Sequence, residues 1–117
     1  MEFVVAEDEV WLSAFGVLPH TEAVSGDHLV REVRLPLSES EELHVTWDLT
    51  AWSVRVRYSR ASDVIVDVYR EQVSLVTIDD HRSGPVLEVD YHAEGGRGRM
   101  SVRTRPAFAL ADTFLRT

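Results

Sequence analysis

Five histidines (His20, His28, His44, His81 and His92) and twenty carboxylates are the side chains best suited to proton transfer or metal binding, and their spacing favours neither. No HxxxH or HExxH pair occurs, so no helix turns two imidazoles toward one ion. Glu88, Asp90 and His92 alternate along one predicted strand face, as do His44 and Asp48. Successive members of such a row stand about 6.6 Å apart, so three of them reach one metal only with help from a second strand. Asp79-Asp80-His81 falls in a predicted turn, where Asp is favoured for bonding to its own backbone. The paired carboxylates Glu41/Glu42 and Asp79/Asp80 also fall in predicted turns, where both members are expected to be solvated. Serines occur without a GxSxG elbow. The absence of cysteine removes thiol nucleophiles, thiolate zinc sites and disulfides together. The absence of lysine removes Schiff-base chemistry and a P-loop lysine. "EGGRGRMS" is glycine-rich but lacks Gly-Lys-Ser/Thr and a following helix, so it reads as a hairpin tip. No catalytic, cofactor-binding or metal-ligating residue is expected, and no cofactor.

All twelve basic residues are arginine. Arg55 and Arg57 share one predicted strand face, and Arg99, Arg103 and Arg105 another. A nucleic-acid face would interleave exposed aromatics with such a row in a basic domain. Here the aromatics fall on the opposite face and the net charge is −8, so the arginines read as solvated partners of cross-strand acids, and nucleic acid is not an expected partner. The charge is also uneven. Residues 1–50 carry eleven acids against two arginines, a sum of −9, while the remainder carries nine acids against ten arginines, a sum of +1. Such an acidic half favours encounter with a basic protein. The residues expected to meet that partner are Glu7, Asp8 and Glu9 on a predicted helix, with Glu39, Glu41 and Glu42 in a later turn.

The elements that position these groups follow from periodicity. Residues 7–15 predict a short helix: acids fill its first turn, Trp11 and Phe15 lie four apart, and Gly16 and Pro19 end it. Residues 19–27 read as a loop. Strands are predicted over 28–37, 42–50, 52–59, 63–69, 73–78, 86–93 and 99–105. Arg31 interrupts the apolar face of the first. Matching apolar faces across 42–59 requires partners whose numbers sum to 101, with Trp47 opposite Val54 and His44 opposite Arg57. The same rule applied to 86–105 gives a sum of 193, with Tyr91 opposite Val102 and Asp90 opposite Arg103. Residues 63–78 are apolar on both faces, which suits a sheet centre, a covering helix or contact with a second copy in a homodimer. In the tail "PAFALADTFLRT", the proline, the alanines and the Leu110–Phe114 spacing place a short helix ahead of a final strand.

A chain of 117 residues suits one compact domain, 1–117. The expected class is α+β: a curved antiparallel meander of six to seven strands, with the N-terminal helix and a short C-terminal one on its apolar face. No apolar run is long enough to cross a membrane, and the acidic start resembles no secretory signal, so a cytoplasmic bacterial protein is expected. Three function classes remain, in this order. The first is a small acidic protein-binding module, such as an immunity or antitoxin-type inhibitor of a basic toxin. The second is a curved-sheet carrier of a small apolar ligand around Trp47 and Trp52. The third is a small enzyme.

Overall fold

Alternation with a period of two builds the strands and decides which side of each turns inward. In the computed structural model, which describes residues 2–116, these strands form two five-stranded sheets. One sheet holds β2 (His20–Thr21), β3 (Val30–Pro36), β4 (Glu41–Asp48), β5 (Ser53–Arg60) and β6 (Asp63–Arg70) in sequence order. The other holds β1 (Val4–Val5), β7 (Val73–His81), β8 (Gly84–Ala93), β9 (Gly96–Arg103) and β10 (Ala109–Arg116). All neighbours are antiparallel except β1, which runs parallel to β7. The single helix among the described residues, α1, spans Asp8–Phe15 and ends on Gly16 in the left-handed conformation.

The expected single meander is thus corrected to two sheets with ten strands. The reason lies in what covers the apolar faces. An eight-residue helix supplies one fully buried side chain, Trp11, which is far too little for a sheet that exposes Val33, Leu35, Leu43, Val45, Trp47, Val54 and Val56 on one side. A second sheet carrying Val73, Val76, Leu87, Val89, Tyr91, Met100 and Val102 completes one shared core.

The 42–59 hairpin has the expected register: Leu43 faces Tyr58, Val45 faces Val56, and Trp47 faces Val54. Its loop is longer than two residues, held by Asp48, whose carboxylate accepts from the Thr50 and Ala51 amides at 2.8 and 3.0 Å. Trp52 takes a positive φ of 53° there and is only half-buried, whereas Trp47 is buried. The β8–β9 hairpin has the expected facing but a different register, with Tyr91 opposite Gly98 and Asp90 opposite Arg99. A tight Glu94-Gly95 turn, with Gly95 at φ 83°, replaces the longer loop. The tail is corrected as well. Residues 109–116 form β10, because the free edge of β9 offers a ladder that outweighs the modest helix preference of Ala and Leu.

Residues 63–78 do not share one environment. β7 lies inside its sheet, while β6 is an edge strand whose Val64, Ile65 and Tyr69 stay exposed. No described helix is long and apolar enough to cross a membrane.

Gly98 shows how tightly the core is fitted. A Cβ at this position would lie 2.2 Å from Cζ of Tyr91. The Tyr91 hydroxyl in turn donates to Asp112 on β10 at 2.7 Å. Gly98→Ala must therefore push the ring off its seat, and a loss of about 1–3 kcal/mol is expected from such overpacking. Urea denaturation with an unchanged m-value is the check.

Candidate protein-interaction surface

The six acids singled out above divide by what they touch. Asp8 sits in the first turn of α1 and accepts two hydrogen bonds from Arg31, at 2.9 and 3.3 Å. The same guanidinium donates to the Pro19 carbonyl at 3.0 Å. This explains the arginine that breaks the apolar face of β3: it anchors the helix start and the chain leaving the helix to the sheet. Glu42 accepts from Arg34 at 2.8 Å. Glu41 accepts from the Tyr58 hydroxyl, with Arg60 at 3.8 Å. The Tyr58 hydrogen bond, then Ser38, holds the Glu41 carboxyl below its usual pKa. Glu7, Glu9 and Glu39 are exposed and have no ion pair among the described residues. Glu7 occupies the helix N-cap position without a side-chain capping bond. Glu41 and Glu42, expected in a turn, open β4, with Glu39 just before it, and this group is not brought together with the helix group. The two groups lie near opposite ends of β3, roughly 17 Å apart along the strand at 3.3 Å per residue.

The arginine rows are largely occupied. Arg55 donates two hydrogen bonds to the Asp67 carboxylate, both at 2.8 Å, and Arg99 is held between Asp90 at 2.7 Å and Glu88 at 3.4 Å. Arg55 is exposed and Arg57 half-buried, and the Nε of Arg57 is buried without a hydrogen-bond partner among the described residues. On the outer face of the β7–β10 sheet, Ser74, Asp90, His92, Arg97, Arg99 and Leu115 help line an open groove of about 600 Å³. No described group of three His, Asp or Glu side chains is arranged to hold a metal ion.

Sequence reasoning missed Glu32. It reads as an ordinary outward position on an alternating strand, yet it is buried. One carboxylate oxygen faces Arg34 Nε at 3.3 Å and the Nε2 atoms of His20 and His44, each at 3.5 Å. The other accepts the Ala23 amide at 3.3 Å. The 22–27 loop closes over it, itself folded around Glu22, which accepts the Val24 and Ser25 amides at 2.9 and 2.8 Å. The one local signal was the i, i+2 pair Glu32–Arg34. The histidines come from other strands, so spacing along the chain hides the cluster.

Trp11 fills the space that a ligand-carrying cavity would need near Trp47. It is fully buried, and its ring stacks on Trp47 at 5.1 Å with planes 10° apart.

No family model matches the chain, and no curated protein matches it in sequence. Among solved structures, the fold is similar to that of a chain in a contact-dependent growth inhibition toxin–immunity protein complex from Klebsiella pneumoniae 342. The TM-score is 0.81 and the match covers 97% of each chain, at 13% identity. The two chains share a fold.

Two outcomes follow from the buried cluster. Glu32→Ala leaves Arg34 and the Ala23 amide without their acceptor, so a loss of about 1–3 kcal/mol is expected in urea denaturation. The second concerns pH. Burial, then the nearby Arg34 charge, lowers the pKa of His44, with Glu32 opposing. The folded protein thus binds fewer protons than the unfolded chain where imidazole titrates. That contribution is complete above the unfolded value of about 6.5 and is lost as pH falls through it toward the folded pKa. The thermal midpoint should fall between about pH 7.5 and 5.5, and His44→Gln should flatten that decline.

Proposed function

We propose that this chain is an immunity-type protein that binds a basic protein toxin and blocks it. The fold likeness to a toxin–immunity complex, end to end over both chains, carries the reading. The charge supports it. A toxin acting on nucleic acid must tolerate a polyanion and so tends to be basic, and its inhibitor gains from the opposite sign. Inhibition of this kind needs shape and charge complementarity and no chemistry, so the chain acts as a binding partner and not as an enzyme. Glu7, Glu9 and Glu39 are the members of the acidic set that project free of ion pairs, and they steer the encounter. Asp8, Glu41 and Glu42 hold the scaffold behind them. A second copy of the chain is a separate partner, reached through a different surface.

The test takes as partner any toxic domain that an adjoining gene encodes. Co-expression should rescue growth, and the two proteins should co-purify. Steering acts on association, so the on-rate should fall on the order of ten-fold from low salt to about 0.15 M, where the Debye length is near 8 Å. The triple variant Glu7→Gln, Glu9→Gln, Glu39→Gln should bind more slowly at low salt, with dissociation and thermal midpoint nearly unchanged. No binding to the neighbouring toxin would sink the immunity reading. Equal on-rates for both proteins at both salts would remove the acidic steering alone.

A further inference from the structure

Each sheet has two outer strands, and the fold treats them differently. β1 and β2 are two residues long, a length that offers little to a passing strand. β6 is eight residues long, and its free edge is flanked by exposed apolar side chains: Val64 at 56%, Ile65 at 56% and Tyr69 at 47% exposure. An open edge of this kind is a template for strand pairing, and its apolar side chains favour cover.

We propose that β6 pairs antiparallel with β6 of a second copy, about a two-fold axis through Asp67, joining two five-stranded sheets into one of ten strands. The pairing with β5 fixes which way each residue points. Val66 and Val68 lie opposite the buried Tyr58 and Val56 and turn toward the core. Asp67 and Tyr69 lie opposite Arg57 and Arg55 and turn outward. Ile65 is the extra residue of the bulge at Tyr58/Ser59, and its 56% exposure sets it with the outward residues. A two-fold axis through Asp67 then sets Ile65 against Tyr69 of the second copy and Val66 against Val68 of the second copy, each pair twice. Outward residues meet outward residues and inward meet inward, as an antiparallel pair requires. Two exposed apolar side chains cover each other on each side of the axis.

The centre of the pairing brings two Asp67 carboxylates together, and the charges around them allow it. Each is already held by Arg55 at 2.8 Å, with Arg57 Nε at 3.5 Å. That Nε is buried without a hydrogen-bond acceptor among the described residues. Four guanidiniums therefore surround two carboxylates at the axis.

Sedimentation of the intact chain over the micromolar range should report a dimer. Ile65→Lys and Tyr69→Lys change exposed positions, so both should fold with an unshifted circular dichroism spectrum and sediment as monomers. The register has its own test, because the chain contains no cysteine. Residues opposed across an antiparallel pair have Cα atoms about 4.5–5.5 Å apart, inside the range of about 4.4–6.8 Å that a disulfide spans. Mild oxidation of Asp67→Cys should give a covalent dimer, while Thr113→Cys on β10 should stay monomeric on a denaturing gel. A monomeric wild type overturns the pairing. So does a dimer that persists in Ile65→Lys, or one in which Asp67→Cys fails to crosslink. A monomer that still binds its toxin overturns this pairing and leaves the immunity reading intact.

Discussion

The stack of Trp11 on Trp47 is the contact on which the rest of the arrangement depends. An eight-residue helix does not hold together in water by itself, since its few hydrogen bonds do not offset the cost of nucleation. Here it forms because one face, Trp11 with Phe15 behind it, inserts into the core. The indole N–H donates to the Ala6 carbonyl at 3.1 Å, so a large polar-tipped side chain is buried with its donor satisfied. The same insertion brings Asp8 to Arg31, and Arg31 to the Pro19 carbonyl. One aromatic contact therefore fixes the helix, the strand it crosses and the segment that follows.

The arginines have a matching role on the outer faces. They sit across from carboxylates on neighbouring strands: Arg55 with Asp67 and Arg99 with Asp90. Exposed pairs of this kind contribute little each, roughly 0–1 kcal/mol. Their main effect is to fix which strand lies beside which. Arg70 and Asp112 belong to different sheets, so that pair, with Tyr91 donating to the same carboxylate, ties the β6 edge of one layer to β10 of the other. Glu32 is the exception to the exposed pattern, and it fastens a loop across a sheet face.

Local alternation made the strands legible, and it made one hairpin register legible as well, because apolar residues lie opposite apolar residues at a single offset. For β8 and β9 the same alternation allows offsets in steps of two residues, and the observed one lies four residues from the one expected. The choice fell to Gly98, which must lie opposite Tyr91 because no side chain fits beneath that ring. The tail was misread because β10 depends on an edge supplied by a strand elsewhere, which overrides local helix preference. The acidic residues were legible as types. Their division into paired and free was hidden, since Asp8 meets Arg31, 23 residues away in sequence, and Glu41 meets Tyr58, 17 residues away. Two sheets in place of one were hidden for a related reason: strand periodicity reports that a face is apolar but not what covers it.

The parallel contact of β1 with β7 has a consequence for how the chain emerges from synthesis. β2 to β6 follow one another in sequence, each pairing with the next, so their sheet needs only residues 20–70. The other sheet takes its edges from the two ends of the chain: Val4 waits for Leu75, and β10 arrives last. Until then Trp47 and its neighbours have no second layer above them. Short-range closures come first and the long one, across about seventy residues, comes late, which is the slow step that topology imposes on chains of this kind.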